Sequence, residues 1–445
     1  MKTLIRGGTL VTVDPDRRVL PNTDLLVDGD RIAAIGPGSD AAGADRIIEA
    51  RGKVVMPGLI QTHIHLCQTL FRGQADDLEL LDWLQQRILP LEAAHDEDSV
   101  YHSALLGIGE LLRGGTTAIV DMETVHHTDA AFHALAESGI RALAGKVMID
   151  CGPEVPPGLC ERTEAALEES VRLMERWHDT HGGRLRYAFC PRFVVTCSET
   201  LLREVQDLAE RHGVHIHTHA SENRAEIAYV EADRGMRNVR YLDHLGLASG
   251  RLVLAHCVHV DEQEIDLLAA RRVHVAHCPG SNLKLASGIA RIPQMLKRGV
   301  NVSLGADGAA CNNNLDGFLE MRLAALIQKP LHGPRSMPAQ TVLEMATIAG
   351  ARAMGLADQI GSLEAGKQAD LAIVDLSGLH TWPPTDVVSS LVYGARASDV
   401  TLTMVGGRIL HQDGRLLTIE TERVQAGAAA ALSRLLRRIP GGNLM

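Results

Sequence analysis

The segment Thr62-His63-Ile64-His65 follows an apolar run over residues 54–60 and sets two imidazoles two residues apart. In an extended strand such a pair points to one side, so both rings can reach a single divalent ion where the strand ends. The chain also carries His219, His256 and Asp307 at the ends of later β-rich runs. Imidazole nitrogen and carboxylate oxygen suit a borderline divalent ion such as zinc. The expected ligands are therefore His63, His65, His219 and Asp307, with one position left for water. The coincidence of four donors at strand ends carries more weight than the His-x-His pair, a short pattern common by chance.

His215, His217 and His219 alternate and so share one strand face. Only His219 stands at the mouth if the strand exits at Ala220, and the other two are expected to pack inside. Glu222 lies three residues beyond that ligand. Burial would raise its pKa towards neutrality and let it shuttle protons between an activated water and a leaving nitrogen. His256 is expected to orient the water or polarise the attacked centre, and Asp307 to accept a proton as well as bind metal. His259 and His277 are read as structural. Lys146 is a poor bridge between two metals, because such a lysine belongs on the next strand, where Arg192 and Phe193 stand.

These side chains need a scaffold that gathers distant strand ends. From about residue 57, eight β-rich runs end near His65, Asp121, Met148, Arg192, Ala220, Cys257, Pro279 and Asp307, with helical stretches between them. The spacing predicts a (β/α)8 barrel over 57–364, whose working residues come from the C-terminal strand ends. One predicted helix places Val100, Ala104, Leu105, Ile108, Leu111 and Leu112 on a single face and stops at Gly114-Gly115. Thr163 is the expected N-cap of another, and Asp261 to Glu264 reads as a capping-box start. No Gly-x-Gly-x-x-Gly follows an early strand, which disfavours a dinucleotide fold. Residues 1–56 and 365–445 instead show short strands broken by turns, expected to close into one small β-sandwich built from both chain ends. A final helix over about 420–438 is expected to dock on the body or a sister subunit.

The chain of 445 residues, 45% hydrophobic and 22% charged, reads as globular. A net charge of -11 argues against nucleic acid or an anionic membrane as partner. With no signal peptide or membrane span in the pattern, a cytoplasmic location is expected. The eight cysteines include no Cys-x-x-Cys pair, so reduced, mostly buried thiols are expected.

Five segments carry a family resemblance. They are Pro57-Gly58-Leu59-Ile60-Gln61-Thr62-His63-Ile64-His65, His219-Ala220-Ser221-Glu222, Leu254-Ala255-His256-Cys257-Val258-His259, the stretch from Ser281 to Ala290, and Gly305-Ala306-Asp307-Gly308 with the residues up to Asn314. Together they resemble the amidohydrolase superfamily, and within it the aminohydrolase branch of methylthioadenosine, S-adenosylhomocysteine, 5′-deoxyadenosine and guanine deaminases and triazine hydrolases. The resemblance implies one metal ion per subunit, zinc first and iron second, held by His63, His65, His219 and Asp307. It also implies Glu222 as proton shuttle and His256 as activator, both of them touching the substrate, and a purine or nucleoside substrate in a homo-oligomer.

For substrate contacts, the regions of Trp83 and Glu92 are similar to those that face the nucleoside in adenosine-type deaminases. Cys190-Pro191-Arg192-Phe193 looks more like guanine deaminases, in which the Arg and Phe contact the base. An Arg fork suits a carbonyl or carboxylate acceptor. The expectation is hydrolytic deamination of a 5′-modified adenosine, 5′-deoxyadenosine first. Guanine-like bases are the runner-up, and a triazine or cyclic amide comes third.

Overall fold

The computed structural model describes residues 1–36, 43–152 and 155–439. Among them, eight parallel strands pair in chain order: Leu59–His65, Thr116–Met122, Arg141–Gly145, Leu185–Pro191, His215–Ala220, Leu252–His256, His274–His277 and Asn301–Leu304. Ala188 pairs with His215 and Leu304 with Gln61, so the sheet closes into the expected barrel. Its first two strands are buried along their whole length, as parallel strands covered on both faces must be.

Three strand ends differ from the sequence reading, the third strand stopping at Gly145 and resuming as the short strand Val147–Met148. The seventh strand stops at His277, because Pro279 cannot donate to a ladder and instead opens the helix Pro279–Lys284. The eighth stops at Leu304 and resumes as the short strand Asp307–Gly308 beside Ile64 and His65. Between them, a Cβ at Gly305 would come within 2.7 Å of the His63 carbonyl oxygen, so only glycine lets this strand reach the ligand strand.

The helix Glu97–Arg113 starts on a capping box of Asp96 and Ser99 and buries the predicted face, and Asp261 and Glu264 cap the helix Glu262–Arg271. Thr163 is not a cap. It is the first helical residue of Thr163–Trp177, with Arg162 in the cap position, because its hydroxyl donates to Asp150 Oδ2 at 2.7 Å.

Both chain ends build a second sheet. In it Leu371–Val374 lies antiparallel to Val54–Pro57, and Lys2–Val11 and Val400–Val405 flank this pair. Period-two burial shows in Val19–Asp28, where Thr23, Leu25 and Val27 are buried and their neighbours are not. Ile5, Leu10 and Val55 share its core with Leu371, Ile373 and Met404. The strand Val54–Pro57 passes through Gly58 directly into the first barrel strand. A side chain there would collide with Thr117, 2.1 Å from the Cβ position. Buried Arg141 binds Asp370 at 2.8 Å and locks sheet to barrel.

The C-terminal helix Thr421–Arg438 packs on Glu97–Arg113 through Val424, Ala428 and Leu435, with Arg434 paired to Asp98 and Arg438 to Asp96. All eight cysteines are free thiols, six of them buried. No helix among the described residues is long and apolar enough to cross a membrane.

Candidate metal centre and active site

The C-terminal strand ends bring His63, His65, His219 and Asp307 to one point. His63 Nε2 and His65 Nε2 each lie 3.3 Å from Asp307 Oδ1, and His65 Nε2 lies 3.3 Å from His219 Nε2. His63 Nε2 is buried and has no hydrogen-bond partner. A buried nitrogen left so costs about 1–3 kcal/mol, which a shared cation would recover.

Outer bonds fix the rings. His65 Nδ1 faces the Met122 carbonyl at 2.7 Å and His219 Nδ1 the Arg192 carbonyl at 2.7 Å. A carbonyl only accepts, so in each ring Nδ1 carries the proton and Nε2 turns its lone pair inward. Burial holds the imidazoles neutral, the form that ligates: His65 is pushed down to about 3, and His63 and His219 shift the same way. Burial opposes ionisation of Asp307, but His63 and the other imidazoles outweigh it and hold the carboxyl well below its usual range. Three neutral imidazoles and one carboxylate are a fitting donor set for zinc or a similar ion.

The carboxylate is also braced. Ser281 Oγ donates to Asp307 Oδ2 at 2.7 Å and the Gly308 N–H to Oδ1 at 2.8 Å. Asp307 and His256 both adopt left-handed backbone, at φ 65° and 71°. Such strain persists in non-glycine residues only where surrounding structure enforces it, and it concentrates at working sites.

Glu222 and His256 stand beside this point. Glu222 Oε2 is 3.5 Å from His256 Nε2, which lies 3.8 Å from Asp307 Oδ2. Burial, then the nearby Asp307 charge, push the Glu222 carboxyl up to about 7, although His256 acts in the opposite sense. Ser287 Oγ donates to its Oε1 at 3.2 Å. Burial disfavours a charged His256, but Glu222 and Asp307 prevail and raise it. His256 Nδ1 meets Asn282 Oδ1 at 2.9 Å; an amide oxygen accepts, so the Nε2 edge faces the centre.

A cavity of about 30 Å3 adjoins these groups, lined by Trp83, Leu80, Leu84, Phe193, Arg192 and Leu285. Leu84 begins a short π-helical turn, Leu84–Ile88, a rare geometry that is frequent at functional sites. Arg192, 3% exposed, directs its fork at Glu92, with Nη1 to Oε2 at 2.6 Å and Nη2 to Oε1 at 3.3 Å. Gln68 donates to the same carboxylate at 2.9 Å. Burial would raise Glu92, but Arg192 dominates and holds it low. Of the six expected substrate contacts, Trp83, Arg192, Phe193, Glu222 and His256 thus line the cavity, while Glu92 sits one residue removed, in an ion pair.

Other expectations resolve simply. Lys146 is buried, with Nζ on Glu161 at 2.6 Å and on the Val125 carbonyl. His259 binds the Ser287 carbonyl. His277 is buried with both ring nitrogens unpartnered. His217 lies inside the barrel against His63. Sequence reasoning missed the braces Gln68, Ser281, Asn282 and Ser287. The Ser281-Asn282 pair behind the seventh strand was their one visible signal.

The amidohydrolase family model matches residues 54–410. The 5-methylthioadenosine/S-adenosylhomocysteine deaminase of Syntrophobacter fumaroxidans is 44% identical over 95% of each chain. The 5′-deoxyadenosine deaminase of Methanothermobacter thermautotrophicus is 43% identical, covering 97% of this chain and 98% of its own. A crystal structure of an adenosine deaminase from Xanthomonas campestris with bound zinc superposes with a TM-score of 0.91 at 36% identity, over 97% of this chain and 98% of that one.

Proposed function

From the premise that the chain belongs to the amidohydrolase family, we propose that it is a metal-dependent aminohydrolase that converts a 5′-modified adenosine to the corresponding inosine and ammonia. The observation that carries this reading is the convergence of three imidazole Nε2 atoms and one Asp307 oxygen beside a glutamate whose carboxyl titrates near neutrality. The relatives' names supply the substrate class, with 5′-deoxyadenosine first and methylthioadenosine beside it.

His63, His65 and Asp307, which cluster together, and His219, whose Nε2 lies 3.3 Å from that of His65, would hold the ion, zinc by the donor set and by the zinc-bearing structural neighbour. When bound, such an ion brings the pKa of a water close to 7 and polarises the attacked centre. Glu222, poised near 7, accepts a proton from the attacking water and passes it to the ring nitrogen next to the amino-bearing carbon. Water is thereby added across one C=N bond. His256, anchored by Asn282, presents Nε2 to the oxygen arriving at that carbon. Asp307 moves the second proton from the new hydroxyl to the amino group. The C–N bond then breaks, ammonia leaves, and the ring keeps a carbonyl.

Trp83 and Phe193 would flank the base, and the Glu92–Arg192 pair would present fixed charge towards the sugar. A cavity of about 30 Å3 cannot hold a nucleoside, since ligand pockets run to about 300 Å3 or more. A bound nucleoside would therefore have to displace side chains of this lining, Leu80, Trp83 and Leu84 among them.

The guanine reading loses ground in the structure, because the Arg192 fork is already filled by Glu92. Ammonia release by the zinc-loaded protein separates the readings. The panel is adenosine, 5′-deoxyadenosine, methylthioadenosine, S-adenosylhomocysteine, guanine, 8-oxoguanine and an aminotriazine. The highest kcat/KM is expected on a 5′-modified adenosine. A higher value on guanine or the triazine would replace the proposal.

A further inference from the structure

We infer that His217 is a positioning residue that sets the tautomer of His63 and thereby aims its Nε2 at the metal centre. The three imidazole ligands are not held alike. His65 and His219 rest their Nδ1 atoms on backbone carbonyls, which no substitution can remove. His63 Nδ1 instead meets a side-chain nitrogen, His217 Nε2, at 2.8 Å. Two facing imidazole nitrogens leave the proton's place open, and a proton on the wrong atom would leave His63 Nε2 protonated and unable to ligate.

The other end of His217 closes the question. Its Nδ1 lies 3.0 Å from the Val253 carbonyl oxygen, on the neighbouring sixth strand. A carbonyl has no proton to give, so His217 Nδ1 carries one and donates it. In the neutral ring, Nε2 is then a bare acceptor. It takes the proton of His63 Nδ1, and His63 Nε2 is left with its lone pair facing Asp307 and the other ligands. The backbone of the sixth strand thus fixes a ligand on the first through one intervening ring. Both rings are fully buried, so no water competes for either nitrogen.

This inference rests on the metal-centre reading, and the test separates the two. Zinc affinity of the purified apoprotein is measured by competition with a chromophoric chelator for wild type, His217→Leu and His217→Gln. Leucine removes the acceptor. Glutamine keeps an oxygen for His63 and an amide donor for Val253. Loss of an outer-sphere partner of this kind weakens metal binding by about 10–100-fold. That loss is expected for His217→Leu, with His217→Gln recovering most of it at unchanged far-UV circular dichroism. Equal zinc affinity in wild type and folded His217→Leu overturns the relay and leaves the metal centre standing. Absence of zinc binding by wild type overturns the metal centre itself. Should His217→Leu not fold, 15N spectra of histidine-labelled, zinc-loaded wild type decide instead. Protonated Nδ1 on both His63 and His217 is expected, and protonated Nε2 on His217 refutes the relay.

Discussion

Two buried glutamates serve the same small cavity in opposite electrical states. Glu222 lines it, 3.5 Å from a histidine and close to the negative Asp307, and its carboxyl is pushed up to about 7 by burial. Glu92 stands one residue behind it, gripped by both arms of Arg192 and by Gln68, and is held below its ordinary value. Burial is nearly the same for the two, at 4% and 2% exposure, so burial alone decides nothing. The neighbour decides. A glutamate with a matched cation becomes a fixed charge, whereas one without becomes a group that exchanges protons at physiological pH.

The sharpest break of that contrast is Glu222→Gln. An amide keeps the shape and removes the proton exchange, so turnover should fall by about 10²–10⁴-fold with metal content unchanged. Steady-state deamination and elemental analysis check both halves. Loss of the metal together with activity would make Glu222 structural instead.

Next comes Arg192→Met, which leaves Glu92 buried without its cation. Removing one partner of a buried pair costs about 3–5 kcal/mol. Denaturant unfolding should show most of this loss, and the double change Glu92→Gln with Arg192→Met should recover much of it. Activity of the double variant on a 5′-modified adenosine then reads how far the fixed charge matters to the sugar.

The smallest effect is a slope. Glu222 is raised in the folded state, from an ordinary 4.5 to about 7, so the native protein binds more protons than the unfolded chain between those values. Its contribution is present in full below pH 4.5 and fades as pH rises towards 7, a difference of about 3 kcal/mol. Glu92 runs the other way: its contribution is present above the ordinary value and fades as pH falls through the lowered one. In the metal-free protein, Glu222→Gln should flatten the decline between pH 4.5 and 7. An unchanged slope would mean that Glu222 is not raised.

The two glutamates also differ in how legible they were. Glu222 was readable because it follows His219 by three residues, and strand ends in a barrel place the ligands together. The barrel and the four-donor cluster followed from the same strand-end logic, and the composite sheet from the short, turn-broken strands at both chain ends. Glu92 was readable only as a residue near Trp83. Its partner is 100 residues away, and no local pattern encodes a pairing across two loops. Arg192 looked free to receive a substrate oxygen because the sequence does not show what already occupies its fork. His217 was read as packing, which is correct for its burial and silent on its hydrogen bonds. Thr163 was misplaced by one residue because Asp150, on a separate segment, captured its hydroxyl. The π-helical turn over Leu84–Ile88 has no sequence signature at all.

The central claim is that four distant residues form one ion site, and metal stoichiometry tests it most directly. Wild type, Asp307→Ala and His219→Ala are purified, stripped, incubated with zinc, desalted and analysed for bound metal, with circular dichroism as the folding control. One tightly held ion per wild-type chain, lost or greatly weakened in both folded variants, is the predicted result. A folded wild type that retains no stoichiometric ion, or an Asp307→Ala protein that holds zinc as tightly as wild type, would contradict it.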